Sequence, residues 1–273
     1  MIVMKAASAV VLGLGIVLLS GCGEGADKAS QSVRNFSLKP YEGRTVSPDS
    51  IEGTWVSVRK GVGLVEYEGI KVNIEAESKE YFVIRASNSL YSMISCESGA
   101  REIYVNDGQI TIEGVTASLA DNQKISGTKN FPRGFGGEGG SYTEEFAMVK
   151  ISDSDDEVGT LSMTEAGNQS TTENVFCMKE SMVDVTTDGL EKVSSSMFQA
   201  GLVSSPKLHL TKNTGRNSFT FILAKNFVFN SKDSHSVGFT ENSKSNTENN
   251  ISFYGSNNVA DLTGTIKIQL PLQ

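Results

Sequence analysis

The 273-residue chain has few of the residues that most often do chemistry: three cysteines, two histidines and one tryptophan. With so few imidazoles and thiols, a transition-metal centre or a histidine-based proton relay has little to draw on. Positive charge is also short, with 24 Lys plus Arg against 32 Asp plus Glu for a formal net charge of -8. That balance supplies no diffuse basic field to hold phosphates, so nucleic acid is not expected as a partner. Long apolar runs are missing too. The one near the N-terminus, Ala6 to Leu19, covers 14 residues, short of the roughly 20 that a membrane-spanning helix needs.

What is present starts at that N-terminus. Lys5 provides a positive n-region, Ala6 to Leu19 an apolar core, and the small residues Ser20 and Gly21 lead into Cys22. This is the layout of a removable export signal. The stretch Leu19-Ser20-Gly21-Cys22 resembles the bacterial lipobox. The resemblance implies cleavage before Cys22 and acylation of its thiol and new amino group, palmitate among the chains. The mature chain would then hold 273 minus 21, or 252, residues, tied to a lipid bilayer through Cys22. Several acyl chains anchor durably where one binds only marginally. Gly23 stands where such lipoproteins carry Asp for inner-membrane retention, so the resemblance points to the outer membrane. The next residues, to about Ser50, are rich in Gly, Ser and charge, and residues 22–50 read as a flexible tether.

Setting Cys22 aside leaves Cys96 and Cys177, an even pair in an exported chain, and a disulfide between them is expected. Their separation of 81 positions (177 minus 96) would make its closure worth roughly 4 to 5 kcal/mol on the chain-entropy model. No CxxC spacing supports a redox or structural zinc motif.

From residue 51 onward the pattern has period two. Ile70, Val72 and Ile74 alternate with Lys71 and Asn73, and Ile266, Ile268 and Leu270 alternate with Lys267 and Gln269. Apolar runs recur at Thr54 to Val58, Tyr81 to Ile84, Tyr91 to Ser95, Phe146 to Ile151 and Val175 to Met178. Asn106-Asp107-Gly108, Glu68-Gly69 and Asn213-Thr214-Gly215 are hairpin signals between such runs. The fold class expected is all-β, an antiparallel sandwich or barrel-like sheets. One short helix is predicted near 188–201, from a capping-box layout at Asp188 to Glu191 and a stripe of Leu190, Val193, Met197 and Ala200 ending at Gly201. This divides the chain into a signal peptide (1–21), a tether (22–50), a disulfide-closed β domain (51–187), a connecting helix (188–203) and a C-terminal β region (204–273) that is separate or continuous with the first. Most of Ser231 to Asn250 is polar enough to read as exposed loop, with a strand near Val237 to Thr240.

Gly53-Thr54-Trp55 resembles the Gly-x-Trp that opens the first strand of lipocalins. That family encloses a small apolar ligand in its barrel; the plainer reading is a Trp packed in a core. Gly134 to Gly140 contains a GxGxxG, but Pro132-Arg133 precedes it and a strand-like run follows, so it reads as a loop. Phe131 and Phe135 beside those glycines, with Trp55, are the candidate ligand or contact residues. The acidic run Asp153 to Glu157 fails the calcium-loop pattern, with Val158 where Gly is needed and Thr164 where a carboxylate closes the site; it reads as a hairpin turn. His209 and His235 have no second ligand at metal spacing, and no Gly-x-Ser-x-Gly elbow exists. No catalytic residue, metal or cofactor is therefore expected. The sequence reads as an envelope lipoprotein that binds an envelope protein or surface polymer. A lipocalin-like carrier of an apolar small molecule is the alternative.

Overall fold

A computed structural model describes the chain from Phe36 to Gln269 apart from residues 42, 49, 68, 88–89, 97–98, 113–114, 119–123, 133–138, 166–170, 188–191, 203–206, 214–215, 224–226, 231–233, 245–247 and 258–260; beyond Gly201 the description is of backbone pairing. Phe36 to Gln273 forms one compact unit. Apart from a single 3-10 turn at Lys39–Tyr41, the assigned elements are strands, and every ladder among them is antiparallel.

The first eight strands are β1 (Gly53–Tyr67), β2 (Ile70–Ser87), β3 (Leu90–Ser95), β4 (Gly99–Asn106), β5 (Gln109–Ile112), β6 (Val115–Ser118), β7 (Lys124–Phe131) and β8 (Gly139–Ser152). β1 to β6 pair in succession, β7 pairs with β8, and β8 returns to β1. β6 lies against β7, so the eight strands curl into a roll. The turn from β4 to β5 is set locally: Asp107 at φ 50 and Gly108 at φ 72 are the two left-handed positions of a hairpin turn that suits a twisted strand pair.

Nine further strands follow: β9 (Gly159–Glu165), β10 (Thr171–Thr187), β11 (Val193–Leu202), β12 (Lys207–Asn213), β13 (Arg216–Leu223), β14 (Phe227–Asn230), β15 (Ser234–Lys244), β16 (Glu248–Asn257) and β17 (Asp261–Gln269). β10 to β14 pair in succession, β15, β16 and β17 do likewise, and β9 joins β17 to β10. The two sets meet where β10 pairs with β2. The C-terminal strands are therefore continuous with the first set.

That shared wall forks. β2 pairs with β10 from Val72 to Phe82, then with β3 from Val83 to Ser87. β10 pairs with β2 from Cys177 to Thr187 and with β9 from Thr171 to Val175, and a register shift sits between Val175 and Cys177. Cys96, the residue after β3, and Cys177, at the fork, are joined by a disulfide with an S–S distance of 2.06 Å and a Cα–Cα distance of 5.4 Å. The expected cross-link thus ties the two diverging branches together.

Two cores lie on opposite faces of β8, β1 and β2. Inside the roll, Trp55, Phe82, Ile84, Met93, Ile103, Ile110, Ile112, Ile125, Phe146 and Met148 are all buried. On the outer face Val56, Val58, Tyr81, Val83, Val149 and Ile151 pack with Val158, Leu161, Val175, Phe176 and Met178. Burial on both faces explains the mainly apolar runs at 54–58, 81–84 and 146–151. Each such side chain contributes about 1.5–3 kcal/mol by leaving water.

Three expectations change. Residues 193–202, predicted as helix, form strand β11. Ser194-Ser195-Ser196 is a weak helix stretch, and β11 gains ladders on both edges, to β10 and β12. The segment Ser231 to Asn250, read as mostly loop around a short strand at Val237 to Thr240, contains the longer β15 and the start of β16; these two strands pair with each other, which satisfies the backbone of a polar stretch. The tether reading fails for its last part, because Phe36, Leu38 and Tyr41 belong to the outer core. Tyr41 meets the Tyr81 ring edge-on at 6.1 Å and the two hydroxyls share a hydrogen bond. Burial, then the neighbouring Tyr41, holds the Tyr81 hydroxyl well above its ordinary pKa.

Candidate functional site

The residues predicted to make contacts do not converge. Trp55 is fully buried and its indole N–H donates to the Ile51 carbonyl at 2.8 Å, so it is a core side chain. Phe131 ends β7, half-buried and tilted against the Tyr142 ring at 5.9 Å. On β8 the partner of Trp55 is Lys150 and that of Phe131 is Tyr142; eight residues of strand separate those positions, about 26 Å. Phe135 and Cys22 lie outside the described residues. His209 falls in β12 opposite Gln199 and Thr220, and His235 in β15.

The acidic run is engaged by the protein itself. Asp153 accepts from the Lys150 ammonium at 2.6 Å and from the Ser47 N–H at 3.0 Å, and the Lys150 hydrogen bond holds its carboxyl below the ordinary value. Asp155 pairs with Arg85 at 3.5 Å, and Glu157 accepts from the Asn174 amide at 3.4 Å.

The surface that does stand out is built by strand length. β1, β2, β8 and β10 run 15, 18, 14 and 17 residues, whereas β3 to β7 run 4 to 8. The far ends of the long strands extend beyond the roll's own core. Their registers stack in rows: Val65 with Val72; Gly63, Ile74, Val185 and Val193; Gly61, Ala76, Val183 and Ser195. Val65, Val72, Ile74, Ala76, Val183 and Val185 are half-buried on this inner face, and Val193 beside them is 53% exposed. Ile70 at the hairpin is also 53% exposed, and Val62 reaches 61% on the outer face. Tyr142 roofs the glycines of β1, since a Cβ at Gly61 would land on its hydroxyl.

Charges frame this apolar end in pairs. Arg59 binds Glu144 at 2.9 Å with the Phe146 ring 5.6 Å from its guanidinium. Lys192 binds Asp184 at 2.7 Å and Lys60 binds Glu77 at 3.4 Å. Burial pushes the Asp184 carboxyl up, but hydrogen bonds from Lys192 and Ser194 outweigh it and leave the pKa lowered. An apolar patch ringed by matched charges can bury a partner's side chains without a large electrostatic penalty. On the opposite side, a shallow groove of about 510 Å³ runs between Phe36–Leu38 and the outer face at Val58, Lys60, Glu145 and Ala147.

No protein-family model and no curated protein matches the chain. Among solved structures, the translocator domain of autotransporter NalP from Neisseria meningitidis aligns at 10% identity over 86% of this chain and 91% of that one, with a TM-score of 0.13. At that score the likeness carries no argument about fold or function.

The sequence missed this end of the molecule. Ile70, Val72 and Ile74 carry the alternation of a core-facing strand, and only the strand lengths, which depend on distant pairing, reveal that the core stops short of them.

Proposed function

We propose that the chain is a lipid-anchored protein of the bacterial envelope that works by binding a partner protein, without catalysis. The observation that carries the binding part is the far end of the long strands, where Ile70 and Val193 are each more than half exposed beside half-buried Val72, Ile74 and Val185 on one face. Contiguous apolar surface of this kind marks interaction sites. The anchor rests on the lipobox resemblance at Leu19 to Cys22, and the Cys96–Cys177 disulfide agrees with an oxidising compartment. Trp55, Phe82, Ile84 and Met148 fill the interior of the first roll, which favours a binding surface over an enclosed apolar ligand.

Two measurements test the reading. Cys22→Ser is expected to abolish acyl labelling and to move the protein from the membrane to the soluble fraction; unchanged labelling would remove the anchor. A photo-crosslinking residue at Ile70 or Val193 in intact cells is expected to give a discrete protein adduct that one at exposed Lys39, on the outer side, does not. Equal adducts from both positions, or none, would defeat the binding-surface assignment.

A further inference from the structure

We propose that Cys96, Cys177 and Glu80 form a Zn²⁺ site in the dithiol state of the protein. The two sulfurs and a Glu80 carboxylate oxygen lie within 4.8 Å of one another, and all three residues are buried. Ligands of a tetrahedral zinc stand about 3.4–3.8 Å apart, given bond lengths of about 2.0–2.3 Å. Reduction frees the sulfurs to separate to that spacing through side-chain rotation alone, because the Cα atoms already stand 5.4 Å apart. A fourth donor atom is close at hand, the Gln199 carbonyl oxygen 3.8 Å from Cys96 Sγ.

Three features of the surroundings suit an ion. Glu80 is 2% exposed and already aimed at the sulfurs, its Oε1 accepting the Cys96 N–H at 2.6 Å. A buried carboxylate is costly unless compensated, and Lys179 stands opposite Glu80 in the β2–β10 register. Two thiolates, one carboxylate and Zn²⁺ sum to a single negative charge beside that lysine. The third feature is the backbone beside the sulfurs. A Cβ on Gly201 would land on Cys177 Sγ and come 3.6 Å from Cys96 Sγ, so only glycine lets both sulfurs lie against β11, next to the Gln199 carbonyl.

The chemistry balances with an external dithiol as reductant. Two electrons pass to the disulfide, the reductant leaves as its own disulfide, and Cys96 and Cys177 become thiols. Zn²⁺ then replaces the two thiol protons, which leave to solvent, and forms two Zn–S bonds and a Zn–O bond to Glu80. The oxidised protein offers no thiolate and binds no zinc here.

The test uses the full chain carrying Cys22→Ala, which removes the third thiol, reduced with a phosphine and titrated with Zn²⁺ against a chromophoric chelator. One equivalent per chain is expected for the reduced form and none for the oxidised form, with Co²⁺ giving thiolate charge-transfer absorption. Zinc should slow alkylation of Cys96 and Cys177 together. Glu80→Gln is expected to weaken zinc binding at least about tenfold, and Glu80→Asp, which keeps the carboxylate, less. Far-UV circular dichroism of each oxidised variant checks its fold. Equal affinity in Glu80→Gln, no stoichiometric uptake by the reduced chain, or loss of β-structure on reduction that zinc does not restore would each overturn the proposal.

Discussion

Lys150 carries its charge at 1% exposure, against the Ser50 carbonyl at 2.8 Å and the Asp153 carboxylate at 2.6 Å. It lies on the inner face beside Trp55, where an ammonium without acceptors would be untenable. Asp153 itself is 55% exposed at its side chain, so solvent screens the pair from that side. Asp153→Asn is expected to cost about 1–2 kcal/mol in urea unfolding, mostly because the buried ammonium loses its charged acceptor. The pH dependence has a definite sign. The folded carboxyl titrates below its unfolded value because Lys150 hydrogen-bonds the ionised form. Its stabilisation is complete above the ordinary carboxylate range and is lost as pH falls through the lowered folded value. Wild-type stability should therefore drop more on acidification than that of Asp153→Asn, and parallel curves would break the assignment.

At the scale of elements, β11 is the case where two periodicities compete. Val193 and Met197 fit a helical stripe, but Val193, Ser195, Met197, Gln199 and Gly201 also fit period two, and the ladders to β10 and β12 decide for strand. Ser195, half-buried between Val183 and Asn213, offers a direct reading. Thr at 195 is expected to exceed Ala at 195 by about 0.5 kcal/mol, the order of strand preference. A helix would reverse that order. The disulfide is a second element-scale effect. Cys96→Ala with Cys177→Ala is expected to lower stability by up to about 4–5 kcal/mol, read as a shift of the denaturant midpoint. A loss below about 1 kcal/mol would mean the fork holds without the cross-link.

These elements show what was legible. The Asp107-Gly108 turn was, because its chemistry is local. So were the runs at 54–58, 81–84 and 146–151, although alternation could not tell that both faces are buried. The pairing of Cys96 with Cys177 followed from counting alone. Glu80 beside them did not, since it reaches Cys96 only through the fork where β2 leaves β10 for β3. Polar composition likewise concealed the length of β15, legible only at Val237 to Thr240, whose backbone is satisfied by β16.

At the scale of the whole molecule, the two sets of strands share one wall, and the wall's long strands end in a surface that the packing of either core does not use. Substitutions there separate folding from binding. Ile70 and Val193 are each 53% exposed, so replacing both with Glu removes little buried area, and the expected change in unfolding free energy stays within about 0.5 kcal/mol per site. Binding should respond differently, because burying each aliphatic side chain against a partner is worth roughly 1.5–3 kcal/mol and a carboxylate in the same contact must be desolvated as well. Ile70→Glu with Val193→Glu is therefore expected to remove the crosslinked adduct formed from a probe at Val72, on the same inner face, while the urea midpoint and membrane association stay at wild-type values. Membrane association is a control because the proposed anchor at Cys22 does not involve Ile70 or Val193. An unfolding free energy that falls by about 2 kcal/mol or more would show that these side chains serve the fold. An adduct that persists at full yield would place the partner's footprint elsewhere on the molecule.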